Sequence, residues 1–245
     1  MVFRLQWKKI TAVVLALLTA AVFVAGFQAL AGRMQPVSLA KRRLPVIILD
    51  AGHGGFDGGA VAADGTLEKD LNLAIAKELR EMLLPMGFQV IMTREEDTGT
   101  EDPDASTIRQ KKNSDLHNRL ELTKKYDNAI LLSIHMNKFE QSQYSGTQVF
   151  YGPVNQASKS LAEAIQGTVK EQLQTDNTRE VKKGTKDAYL LYNASIPAVI
   201  VECGFLSNGP ELARLKDQTY QKQMAFSILS GLLEHLDAED WEEGG

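Results

Sequence analysis

The chain has 245 residues, of which 44% are hydrophobic and 24% charged, with a formal net charge of −4 and one cysteine. That length and apolar content suffice for one substantial core and demand no second. The acidic balance argues against nucleic acid as a partner, and one cysteine excludes an internal disulfide.

Arg4, Lys8 and Lys9 precede an uncharged, largely apolar run from Ile10 to Leu30, long enough to cross a bilayer. Residues 1–31 therefore read as a signal peptide or a membrane anchor. Ala29-Leu30-Ala31 has the small-x-small form of a cleavage site, while the apolar run exceeds a usual signal core. Either outcome places the rest of the chain outside the cytoplasm. Taking away those three basic residues leaves 24 basic against 31 acidic side chains. Residues 32–45 form a short basic tether.

Beyond the tether, strand and helix patterns alternate. Residues 46–49 are a continuous apolar strand, and Leu71, Ile75, Leu79 and Met82 carry helical spacing after Glu68. A strand follows over 88–93, a helix over 116–126, a buried strand over 129–134 and another strand over 147–151. Leu161, Ile165, Val169 and Leu173 stripe a helix over 156–173, and residues 198–201 are again a buried strand. Tyr220, Met224, Ile228, Leu232 and Leu236 stripe the last helix. This alternation predicts one α/β domain over residues 46–237, a mainly parallel open sheet with helices on both faces, followed by an acidic tail over 238–245.

Two stretches break the pattern. The polar run 95–114 has no periodicity, which means that it either rims a site or is disordered. Residues 175–187 read as a mobile connection. Cys203 sits in an apolar run as a small buried side chain. His117 and His235 fall in helical stretches rich in charge and read as surface residues.

In an open parallel sheet, ligands bind beyond the carboxyl ends of the strands. The first polar residues there are His53, His135 and Glu202, each after a different strand. Two imidazoles with a carboxylate suit zinc, which in catalytic sites takes three protein ligands and keeps one position open. Glu68 is the best third ligand because it opens the helix that returns to the same strand end; Asp50 and Asp57 are the reserves. Gly52, Gly54, Gly55, Gly58 and Gly59 clear space around His53 for a metal and a bulky substrate. A phosphate cradle would need a Lys-Ser/Thr pair after the glycines or a G-x-G-x-x-G, and that stretch has neither. Taken singly, each residue also has a plainer reading: hydrogen-bonded structural histidines, a Glu202 paired with a buried arginine, a Glu68 that only favours a helix start. Their joint arrival at strand ends favours the metal.

The blocks "ILDAGHGGFDGGAV", "EKDLNLAIAKEL", "MTREED", "LLSIHMN", "GTQVFY" and "PAVIVECGFLSN" resemble, in order and spacing, the zinc-dependent N-acetylmuramoyl-L-alanine amidases of bacterial cell walls. The compact form, one catalytic domain behind an N-terminal apolar segment, is similar to the spore-cortex, germination-specific branch. The resemblance implies that His53, Glu68 and His135 bind Zn2+ and that Glu202 is the catalytic carboxylate. It also implies a peptidoglycan substrate cut between the lactyl group of muramic acid and L-alanine, and a place outside a bacterial membrane. Asn137, just past His135, is a candidate for contact with the peptide or glycan. Met136, the Thr123-Lys124-Lys125 run and Cys203 depart from the usual pattern and bear on pocket shape rather than chemistry. Two histidines and two carboxylates would equally serve another exported zinc hydrolase, such as a peptidoglycan peptidase or a carbohydrate deacetylase. An inactive wall-binding module is the reading from a different class, and an activating protein partner is compatible with all of them.

Overall fold

The structure, a computed structural model, describes residues 44–238. The expected apolar segment over 1–31, nearly all of the tether and the tail from residue 239 onward lie outside the described residues.

Short aliphatic runs form six strands: β1 (Val46–Ala51), β2 (Val90–Met92), β3 (Ala129–Asn137), β4 (Gln148–Tyr151), β5 (Lys182–Lys183) and β6 (Ala198–Phe205). Their order across the sheet is β2-β1-β3-β6-β4-β5. All pairs are parallel except β4 with β6. The connecting helices are α1 (Glu68–Leu83), α2 (Ile108–Thr123), α3 (Ala157–Gln172), α4 (Tyr189–Asn193), α5 (Gly209–Lys216) and α6 (Gln218–Ala238). The mainly parallel sheet with helices on both faces is thus the architecture found.

Side chains alternate across a strand, so each buried strand feeds two different layers. On one face Ile47, Leu49, Ile130, Leu132, Ile134, Val199 and Val201 pack against the apolar stripes of α1, α3 and α6 in the larger core. The opposite residues of the same strands, Ile48, Ala129, Leu131 and Ala198, meet Leu120 of α2 and Leu190 and Leu191 of α4 in a smaller one. Each fully buried aliphatic side chain contributes about 1.5–3 kcal/mol of transfer free energy. The larger face therefore carries most of the stability.

Several boundaries differ from the sequence expectation. Helix α2 begins at Ile108 rather than Leu116, because Thr107 and Gln110 form a reciprocal capping box that starts the helix in a stretch without an apolar stripe. What remains of the polar run rims the site instead of being disordered: Asp97 accepts from Gly55 N at 2.9 Å and from Lys69 Nζ at 2.7 Å, and Thr100 N donates to Asp115 at 2.7 Å. Residues 175–187 carry β5 and the tight contacts of Asn177, whose amide donates to the Thr147 carbonyl at 2.8 Å, so the stretch is built into the sheet edge. His235 is 2% exposed, contrary to its reading as a surface residue, because it sits three positions after Leu232 on the buried stripe of α6; His117 is exposed as expected. The side chains of Met136 and Cys203 both belong to the larger core, on the face away from the His135 and Glu202 side chains.

Candidate metal centre

Follow one face of β3 from its start: Ala129, Leu131, Ser133, His135. The same face of β1 runs Ile48, Asp50, and that of β6 runs Ala198, Ile200, Glu202. The smaller core thus turns polar toward the carboxyl ends of three adjacent strands. In register, His135 pairs with Glu202 and Asp50 with Ser133, so parallel pairing sets these side chains side by side.

The loop from β1 to α1 brings in the remaining groups. His53 has φ 61°, the left-handed region that non-glycine residues visit rarely. Its ring is fixed by Asp57, whose carboxylate accepts from Nδ1 at 2.9 Å and leaves Nε2 free to face inward. Glu68 at the start of α1 lies 3.3 Å from His53 Nε2 through one oxygen and 2.9 Å from His135 Nδ1 through the other. Ala60 N and Met136 N also donate to this carboxylate, at 2.8 and 3.1 Å. One ligand atom from each of His53, Glu68 and His135 falls within 4.8 Å of the others. Tetrahedral zinc with bonds of about 2.0–2.1 Å holds its ligand atoms about 3.3 Å apart, so the donor set fits that ion in kind, number and spacing.

Two of the loop glycines, Gly52 and Gly59, make room for these side chains. A Cβ on Gly52 would lie 2.2 Å from His135 Nε2, and one on Gly59 2.6 Å from Glu68 Oε2. At these two positions the space that the sequence assigns to metal and substrate is taken by the ligands themselves, whereas Gly54 and Gly55 lie against Arg94 and the backbone of Thr98 and Gly99.

Two buried arginines, which the sequence pattern did not single out, hold the loop backbone. Arg94 donates to the carbonyls of Ala51, Gly52 and Lys69, and Arg119 to those of Ala51 and His53. Arg119 is charge-matched by Asp50 and Asp115, and Asp50 also accepts from Thr93 and Ser133. Asp50 is therefore committed to Arg119 and is not a ligand; Asp57 braces His53 from behind. Asn72 completes the frame, donating to the Gly52 carbonyl at 3.1 Å and to Glu68 at 3.3 Å. The only sequence trace of Arg119 was its four-residue spacing from Asp115, which also describes an ordinary surface ion pair.

Charge in the cluster is tuned by proximity. Burial alone would lower His53, yet Glu68 and Asp57 outweigh it and lift the imidazole to about 9. Burial likewise opposes ionisation of Glu68, but the two histidines hold it far below the usual carboxylate range. The field that retains a proton on His53 is the field that attracts a cation, and a metal would displace that proton. Glu202 behaves differently. Burial pushes it up to about 7, with His135 opposing and Glu68 adding to the rise. Its Oε2 is sealed from solvent and accepts no hydrogen bond, so it is not the partner of a buried arginine. Asn137 ends β3 just past a register shift, half-buried, and its carbonyl accepts from Leu206 N at 2.8 Å. A cavity of about 270 Å3 opens beside His53 and His135, between α2 and α4, walled by Leu116, Tyr189, Leu190 and Ile200.

Comparison with known proteins gives the family and the fold. Residues 47–234 match the family described as N-acetylmuramoyl-L-alanine amidase. The chain is 36% identical over 191 residues to the germination-specific N-acetylmuramoyl-L-alanine amidase of Bacillus subtilis, covering 78% of this chain and 79% of the relative. Among solved structures it resembles the CwlD amidase of Clostridioides difficile, determined in complex with the GerS lipoprotein, at 45% identity and a TM-score of 0.76, covering 80% of this chain and all of that one. It also resembles the amidase AmiC2 of Nostoc punctiforme, at 29% identity and a TM-score of 0.67 over 79% and 97% of the two chains.

Proposed function

The chain belongs to the N-acetylmuramoyl-L-alanine amidase family, and on that premise we propose that it is a zinc hydrolase of the germination-specific type in which His53, Glu68 and His135 hold the ion and Glu202 moves the proton. The observation that carries this is the meeting of the three donors at one point, with Glu202 in register beside His135 on the next strand.

When bound, zinc supplies Lewis acidity, which acidifies water and polarises the carbonyl of the lactyl–alanine amide. The rest is work of the chain. Asp57 keeps the Nδ1 proton of His53, which points the Nε2 lone pair at the ion. Glu68 is kept ionised by the two histidines and held in place by backbone donors on two sides. Glu202, poised near neutrality, takes the proton from the attacking water and returns it to the departing amine of alanine. Asn137, at the rim, contacts the peptide or glycan.

The biological reading follows the relatives. The enzyme acts outside a bacterial membrane, delivered or held there by the apolar segment over 1–31, and removes stem peptides from muramic acid during formation of the spore cortex. A lipoprotein partner of the kind seen with the C. difficile relative would attach to the catalytic domain. Metal analysis combined with mass spectrometry of digested peptidoglycan tests the chemistry. About one zinc per chain and new L-alanine amino termini are expected; released acetate, or cleavage within the stem peptide, would replace the amidase by one of its rivals.

A further inference from the structure

Past the ends of β3 and β6 two aromatic rings stand half in water. Phe139 and Tyr144 are 49% and 43% exposed, with ring centroids 5.5 Å apart. Both lie against the buried ring of Phe205, at 5.7 and 6.3 Å. Phe139 is inclined only 23° to Phe205, so one of its faces is covered and its exposure belongs to the other face and the edge. Arg179 sets its guanidinium 4.5 Å from the Phe205 centroid and 5.9 Å from that of Tyr144. The guanidinium is itself held, donating from Nε to the Ser145 carbonyl at 2.8 Å and from Nη1 to Gln148 at 3.2 Å. The rings are set before any ligand arrives, so ordering them on binding costs little.

Their place in the fold matters as much as their chemistry. Phe205 is the last residue of β6, three positions after Glu202, and pairs with Asn137; Phe139 follows two residues later. The aromatic shelf therefore stands on the same carboxyl edge of the sheet as His135 and Glu202. On the Tyr144 side it adjoins a polar cavity of about 510 Å3 whose walls include Gln143, Ser145, Asn177, Thr178 and Arg179. A ring face beside amides, hydroxyls and a guanidinium matches the surface of a pyranose, which offers an apolar C–H face and a rim of hydroxyl and N-acetyl groups.

The substrate supplies the occupant. An amidase of this family cuts a bond on a sugar within a polymer, so the strand must continue past the catalytic centre over an open surface, and a closed cavity cannot hold it. We propose that Phe139, Tyr144 and Arg179 form a subsite for the glycan strand, taking an N-acetylated amino sugar adjacent to the one that bears the scissile bond. This rests on the amidase reading above. Shielding Phe205 needs only apolar bulk, which leucine would supply as well as an aromatic ring. Exposed aromatics with arginine also mark protein contacts, but the polar cavity alongside favours sugar.

The double variant Phe139→Leu/Tyr144→Leu keeps apolar cover over Phe205 and removes both ring faces. Its kcat/KM on glycan chains of several disaccharides carrying stem peptides, divided by that on a single muramoyl peptide, is expected to fall about tenfold, through KM. In a second measurement, glycan strands stripped of peptide are titrated calorimetrically into metal-free protein. The wild type binds them, and the double variant and Arg179→Gln bind about tenfold more weakly. Binding without turnover separates the two readings: a protein that takes up stripped glycan yet cleaves no amide loses the zinc-amidase reading and keeps this one. An unchanged ratio overturns the subsite. So does an equal loss on long and short substrates, which assigns the rings to the fold, or a defect seen only with an added protein partner, which assigns them to that interface.

Discussion

The two faces of the sheet are built from the same strands and do opposite work. On the face under α1, α3 and α6, every inward side chain of β3 from Ile130 through Met136 is apolar and buried, and the layer is continuous from end to end. On the face under α2 and α4, the alternate residues begin apolar and end as Ser133 and His135. Only α2 and the five-residue α4 cover that face, and the strand ends stay open to a cavity. One face is therefore free to be optimised for packing while the other carries buried charge, which is costly unless each group is paired.

That contrast is open to direct attack. The largest expected effect lies at the polar end: His135→Ala should lose both bound zinc and activity, whereas Glu202→Gln should keep zinc and lose about 10^2- to 10^4-fold in kcat. Metal content that is full in the first variant and empty in the second would reverse the assigned roles. One step back from the ion, Asp57→Asn leaves His53 in place without its anionic brace, and zinc affinity should weaken about 10- to 100-fold on titration with a competing chelator.

The next effect is on stability and depends on pH. Burial would raise Asp50, but Arg119 and the hydrogen bond from Ser133 hold it at about 2, below its unfolded value of 3.8. A depressed folded pKa means that the contribution is fully present above about pH 4 and is lost as pH falls toward 2. Denaturation curves of the metal-free protein over that window should show a loss of about 2 kcal/mol from this group, and in Asp50→Asn that increment should vanish. On the opposite face, Leu232→Ala should cost about 2–5 kcal/mol at every pH by opening a cavity under α6, while kcat of the folded fraction changes less than about twofold. A large kcat effect from Leu232 would show that the two faces are coupled and that their division of labour is not real.

Much of this was legible in the order of residues. The strands at 46, 129 and 198 and the striped helices α1, α3 and α6 were readable because a buried face enforces a period, and a period survives in one dimension. The candidates His53, His135 and Glu202 were reachable because strand ends in a parallel sheet all open on one edge, and Glu68 because it opens the helix that returns there. The start of α2 was not read, since its first turns have no buried face, although the Thr107-x-x-Gln110 cap was there to be seen. Helices α4 and α5 are too short to show a repeat. His235 was misread because a polar residue on a buried stripe looks, in sequence, like one on a solvated stripe.

What the sequence by itself determined is the alternation of apolar and polar positions, and with it the layers and the strand-end residues that carry charge. Only the tertiary structure decided who partners whom: that Asp50 serves Arg119 and not a metal, that Asp57 stands behind His53, and that Gly52 is small for the sake of the His135 ring. The physical reason is range. Periodicity is a local property written residue by residue, whereas an ion pair or a close approach joins positions that are tens of residues apart, and nothing in either position alone records the other.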